Sequence, residues 1–157
     1  MDAQAKAIKS FTNIYTLLLK DLNALPEEAM HRKFAEKART VADMMYEVTL
    51  VNDHIAATVR GDNPPDWPFA PGTWVLAPDE LTSKEAVISN FERSSQGVLA
   101  TLEAMSEEQM LAEVTNEHGP TNTVEQVRFM VVHMFYHAGQ VNFIQTLLGD
   151  DTWHWMS

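Results

Sequence analysis

The 157-residue sequence contains no cysteine. Disulfides, thiolate nucleophiles and Cys-ligated zinc or iron–sulfur sites are therefore excluded. Any thiol chemistry must bring its thiol from outside the chain. Cations are also scarce: 11 Lys and Arg stand against 22 Asp and Glu, a formal charge of −11. Such a surface repels phosphate backbones, so no nucleic-acid partner is expected. The acidity is read as serving solubility. No positively charged leader with a long apolar run opens the chain. No uninterrupted apolar stretch reaches membrane-spanning length. A cytoplasmic location without a membrane partner is expected.

The residues that are present suit a globular protein. The apolar fraction is 45% and the charged fraction 21%, and the length fits one domain, 1–157, with a sizeable core. Ile8, Phe11, Tyr15, Leu18, Leu22 and Leu25 step by three and four, which predicts a helix over 3–25 stopped by Pro26. Pro26-Glu27-Glu28 can start a short helical turn. The 27–39 segment is charged, lacks a clear period and reads mainly as a connection.

A second helix is predicted over 40–60. Thr40 with Asp43 suits its start and Gly61 its C-terminal cap. Val41, Met44, Met45, Val48, Val51, Ile55 and Val59 form its apolar face. Glu47 lies on the inner part of that face. A carboxylate there is costly to bury unless it is paired, protonated or metal-bound. The plain alternative is an edge residue that reaches solvent or an arginine.

Pro64, Pro65, Pro68, Pro71 and Pro78 fall within 61–81, so that segment is neither helix nor inner strand. A crossover of that length allows the helices on either side of it to run parallel. Trp67, Phe69 and Trp74 are expected to pack over the bundle end, with a wall of a ligand pocket as the alternative. Thr82-Ser83-Lys84-Glu85 opens a third helix, with Ile88, Phe91, Val98, Leu102 and Met105 as its stripe and small Ser95 on the same line. Ser106-Glu107-Glu108-Gln109 starts a short helix that runs to about Glu113. Residues 114–122, with Gly119-Pro120, read as a loop. Thr123 and Gln126 cap a fourth long helix that ends at Gly149. The aromatic tail, 150–155, is expected to dock on the bundle. Four amphipathic helices and no strand pattern predict an all-α four-helix bundle.

His133 and His137 are four apart on the last helix and so share one face, with Gln140 at the next turn. Met130 and Ile144 flank that stripe and turn it toward a core. Two imidazoles so spaced can bind one divalent metal. With Glu47 they supply three ligands and leave positions open for water or substrate, the pattern of a catalytic metal site.

The run His133-x-x-x-His137-Ala-Gly-Gln140-Val resembles the signature of the DinB/YfiT-like family of metal-dependent bundle proteins. The stretch Thr40-Val41-Ala42-Asp43-Met44-Met45-Tyr46-Glu47-Val48 resembles the family's second helix. The resemblance covers nearly the whole chain. At the position where the family usually has its first metal-binding His, this chain has Glu47, itself a competent ligand. His54 is the rival third ligand. It lies seven residues on, about 10 Å along the helix axis, and is otherwise expected in the pocket or behind the ligands.

The resemblance implies parallel second and third helices, a divalent ion (zinc, nickel or iron), and homodimers. Relatives include thiol-dependent transferases and isomerases that use low-molecular-weight thiols. The expected function is a divalent-metal-dependent hydrolase or thiol-dependent transferase acting on a small-molecule substrate. The reading from a different class is a non-catalytic metal-binding bundle that acts through association. An ion at such a site lowers the pKa of a water or thiol ligand. Candidate proton carriers are His54 and Tyr136, each with a structural role as the alternative. His31 and His118 are expected at the surface, and His154 in packing between Trp153 and Trp155.

Overall fold

The computed structural model describes residues 1–116 and 118–156. Four long helices form the framework: α1 (Ala3–Ala24), α2 (Val41–Arg60), α3 (Lys84–Ala104) and α5 (Thr123–Leu147). A short α4 (Glu107–Leu111) follows α3, and single 3-10 turns occupy Glu27–Ala29 and His154–Met156.

Contacts between helices fix their directions. Asp53 of α2 pairs with Arg93 of α3 at 2.7 Å, and Arg60 meets Thr101 at 2.8 Å. Both positions advance together, so α2 and α3 run parallel. On α1, Gln4 bonds the Leu102 carbonyl while Tyr15 packs on Phe91, so α1 opposes α3. Asp21 of α1 meets Asn142 of α5, and Ala7 shares a surface recess with Val127. Those two helices are parallel. The 61–83 segment is thus the long crossover that parallel neighbours require.

The core is the sum of the four apolar stripes. Phe11, Ile14, Leu18 and Leu22 of α1 are fully buried, as are Val48 and Val51 of α2, Phe91 of α3, and Met134 and Val141 of α5. On α3 the stripe is rotated slightly from the expected one, with Val87 buried and Ile88 and Met105 only partly so.

Local signals set the helix ends. Thr40 and Asp43 form a reciprocal capping box at the start of α2, and Gly61 closes the helix at φ +78°, a conformation costly for other residues. Ser106 and Gln109 form a second capping box on α4. The N-cap of α5 is Asn122, whose side chain accepts from Glu125 N, one residue before the expected start at Thr123. The Gln126 side chain instead donates to Thr121.

One element departs from the expected loop at 114–122. Glu113–Asn116 and Gly119–Asn122 form a two-stranded antiparallel hairpin with Val114 opposite Thr121 and Thr115 opposite Pro120. Its strands are four residues each and carry one large apolar side chain, Val114. They therefore show no period-two pattern to read. Pro120 is tolerated because each strand has one free edge.

The tail docks as expected. Trp155 Nε1 donates to the buried Asp21 carboxylate at 2.6 Å, and Phe135 packs on the Trp155 ring. Burial raises the Asp21 pKa, against the hydrogen bonds from Trp155 and Asn142, which lower it.

Candidate metal centre

Glu47 reaches the interior from the middle of α2, and His133 and His137 face it from two successive turns of α5. The antiparallel crossing of these helices brings the three side chains together. His137 Nε2 lies 3.0 Å and His133 Nε2 3.1 Å from Glu47 Oε1, and the two Nε2 atoms are 3.1 Å apart. Among the described residues this is the group of His, Asp and Glu side chains that could hold a metal ion. Glu47 is 3% exposed and His137 0%. Glu47 is therefore not an edge residue, although it does meet an arginine.

That arginine is Arg39. Its Nη2 stands 2.5 Å from Glu47 Oε2, so one carboxylate oxygen faces the imidazoles and the other faces a cation. Nη2 also lies 3.4 Å from the Asp43 carbonyl. Burial pushes the Glu47 carboxyl toward a higher pKa. The contacts from His133, His137 and Arg39 outweigh it and hold the group far below the usual carboxylate range. Burial lowers the His137 pKa against the Glu47 hydrogen bond, which raises it, so the neutral imidazole is favoured.

Gln140 completes the support of His137. The His137 Nδ1–H donates to Gln140 Oε1 at 2.8 Å. That tautomer turns the Nε2 lone pair toward Glu47 and His133, the orientation a metal-binding imidazole needs. His133 Nδ1 has no such partner among the described residues. Its ring is held instead by stacking on Phe129 at 6.1 Å and by the edge of Phe69 at 5.8 Å.

The donor set fits a divalent ion. With neutral imidazoles, three acceptor atoms converge at 3.0–3.1 Å with at most one proton between them. Such crowding is relieved by a cation. Two imidazole nitrogens and a carboxylate oxygen are ordinary zinc or iron donors, and donors of one ion held at about 2.0–2.2 Å are themselves about 3 Å apart in octahedral and about 3.4 Å apart in tetrahedral geometry.

His54 lies outside this group. Its Nδ1 is 2.6 Å from the Pro65 carbonyl and its ring meets Trp67 edge-on at 4.9 Å, so it ties α2 to the crossover. Tyr136 is 56% exposed and rests its ring edge-on against His137 at 5.0 Å. His118, on the hairpin, contacts Trp67 at 5.8 Å. His154 approaches Asp150 at 2.7 Å in the tail.

A cleft of about 640 Å³ lies beside the group, bounded by Arg39, Met44, Trp74, Tyr136, Gln140 and Phe143, among others. Arg39 and Gln140 belong to both places: each lines the cleft and touches a residue of the group. Arg39 was missed by sequence reasoning because it sits in the aperiodic, charged connection before α2. Its one legible signal was a cation eight residues, just over two helical turns, before an interior acid. The crossover aromatics divide. Trp67 packs against His54 and Phe129, and Phe69 reaches His133. Trp74 is 64% exposed and lies over the Arg39 guanidinium at 4.9 Å, on the cleft wall.

A bundle with parallel central helices, a crossover between them and a Glu/His/His group between α2 and α5 defines the class of protein. The DinB superfamily model matches residues 11–141, and the chain belongs to that superfamily. The fold is similar to that of a conserved protein from Enterococcus faecalis, at a TM-score of 0.71 and 14% identity, covering 96% of this chain and 99% of that one. It is equally similar to a DinB-like protein from Bacillus cereus ATCC 10987, at a TM-score of 0.71 and 14% identity over 91% of each chain. None of the curated proteins matches the chain.

Proposed function

We propose that this chain is a divalent-metal-dependent enzyme, a hydrolase or a thiol-dependent transferase, whose ion is held by Glu47, His133 and His137. The observation that carries the reading is the convergence of three donor atoms at 3.0–3.1 Å beside a cleft. Three protein ligands leave coordination positions for water or substrate, as catalytic sites do. A bound ion of zinc, nickel or iron supplies Lewis acidity that lowers the pKa of a water or a low-molecular-weight thiol.

The chain's own residues do the rest. Gln140 holds the His137 tautomer. Arg39 orients the Glu47 carboxylate and balances its charge. Phe69 and Phe129 flank His133 and shield that side from water. Tyr136, exposed at the cleft wall and in contact with His137, is the residue placed to exchange a proton with a small-molecule substrate. His54, bonded to the crossover, acts as a structural tie. No described helix is long and apolar enough to cross a membrane, which supports a cytoplasmic location without a membrane partner. Homodimers are supported by exposed apolar surface: Val132 and Phe135 on α5, with Trp153 and Met156 in the tail that Phe135 touches.

Cobalt substitution tests the reading. Stripped protein loaded with Co²⁺ should show a visible absorption spectrum of nitrogen and oxygen ligation. Adding a small thiol should bring in a sulfur-to-cobalt charge-transfer band, which requires an open position. A spectrum indifferent to every added ligand would favour the closed, non-catalytic alternative.

A further inference from the structure

The cleft beside the metal-binding group has a charge unlike the rest of the chain. Acids outnumber bases two to one overall, 22 to 11. The charged residues that line the cleft are Lys37 and Arg39, and no acid is among the described residues there. Most of the remaining lining is apolar, with Trp74, Tyr136 and Phe143 all more than half exposed toward solvent. A concave apolar site of about 640 Å³ with a few convergent polar groups is the ordinary form of a small-molecule site.

Arg39 is the informative member. Its side chain is only 9% exposed. One nitrogen, Nη2, is taken by Glu47. Nε and Nη1 are buried and have no hydrogen-bond partner among the described residues. The Trp74 ring is near the guanidinium at 4.9 Å. A ring over the face of the cation satisfies none of its N–H groups, which point outward in the plane. Buried donors left without acceptors are costly, and the common resolution is a ligand or water that supplies the acceptor.

We propose that the cleft binds a small molecule with an apolar, preferably aromatic, body and a single carboxylate, and that the carboxylate accepts from Arg39 Nη1. The charge supports one negative group and not two. Glu47 already offsets the Arg39 charge, which leaves the exposed Lys37 at the rim as the one unbalanced cation of the lining. The body lies along Phe143 and Tyr136. Because Nη1 is closed to solvent, the exposed Trp74 ring against the guanidinium turns aside as the carboxylate enters. This deepens the proposed function: a molecule anchored at Arg39 lies next to Glu47, and so next to the ion. The anion site itself does not depend on the ion.

The test is calorimetric titration of the full chain with 4-phenylbutyrate, with its neutral amide 4-phenylbutanamide, and with inorganic phosphate. Each is measured on protein as purified and on protein stripped by chelator. The acid should bind about 10-fold tighter than the amide or better in both states, the worth of a charge-assisted hydrogen bond. Arg39→Gln should bring the two affinities together. Phe143→Ala, at an exposed position, should weaken acid and amide alike by several-fold through lost apolar contact. It keeps the proposal testable should Arg39→Gln fail to fold.

Equal affinity for acid and amide would overturn the proposal, as would indifference to Phe143→Ala. Phosphate that displaces the acid at equal concentration would overturn the carboxylate assignment. A preference seen only before stripping would show the ion to be the anion's partner, overturning Arg39 as the anchor and leaving the metal reading intact. A preference retained by a chain that takes up no metal would do the reverse.

Discussion

Glu47 is the residue on which the account turns, because it has two partners of different kinds. One oxygen faces two imidazoles and the other faces Arg39. Removing it therefore affects two properties. Glu47→Ala should weaken metal binding by at least about 10–100-fold, since losing support behind a ligand alone costs that much. It should also destabilise the stripped protein by about 3 kcal/mol or more, because Arg39 is left buried without a counter-charge. Urea unfolding measures the second effect. The double variant Glu47→Met with Arg39→Met should recover most of the stability while metal affinity stays lost. Additive losses in the double variant would show that the pair is not coupled.

Acid should act on the same residues. Glu47 has its pKa lowered in the fold, so its contribution to stability is complete above its unfolded value near 4.5 and is lost as pH falls below it. His137 also has its pKa lowered, by burial, and its unfolded form takes up a proton near 6.5. Stability of stripped protein should thus begin to fall below about pH 6.5 and fall further below about 4.5. In His137→Gln the first of these losses should diminish. An unchanged slope between pH 7 and 5 would contradict the assignment.

At the scale of elements, the crossover carries the least regular structure and is held at identifiable points. Asp43 caps α2 and also accepts the Ala77 N–H at 2.8 Å, and His54 holds the Pro65 carbonyl at 2.6 Å. Asp43→Ala should cost about 1–2 kcal/mol for the lost charge-assisted bond from the Thr40 N–H. It should also speed proteolytic cleavage within 61–83, read by mass spectrometry, because the far end of the loop is released. Cleavage elsewhere, or none, would mean that other contacts hold the segment.

The helices were legible because apolar residues recur every three and four positions and because Pro26, Gly61 and the two capping boxes mark ends. The hairpin was not, since its strands are short and nearly all polar. Within the site, His133, His137 and Glu47 could be read from spacing and from an acid on an apolar face. Their contact needed the antiparallel crossing of α2 and α5, which spacing cannot show. Arg39 was hidden in a segment without a period, where only the tertiary fold tells which side chain turns inward, and Phe69 was legible as a packed or pocket-wall aromatic but not as a neighbour of His133.

For the whole molecule, the −11 charge and the local reversal of sign at the cleft belong together. An acidic exterior should keep duplex DNA from binding at physiological salt, since it releases no phosphate counterions. Tight, salt-dependent binding in a mobility-shift assay would contradict that reading of the surface. On the proposed function, a cleft without acids beside a carboxylate paired with Arg39 would leave a bound divalent ion's charge available to an anionic or polarised substrate.

The central claim is that Glu47, His133 and His137 hold one divalent ion. Equilibrium dialysis of chelator-stripped protein against zinc, nickel and ferrous iron in turn, followed by elemental analysis, tests it most directly. The account predicts about one ion per chain for wild type, and uptake reduced by at least about 10–100-fold in affinity for His133→Ala and for His137→Ala. Glu47→His should retain most of the wild-type affinity. Equal uptake by wild type and both histidine variants would contradict it.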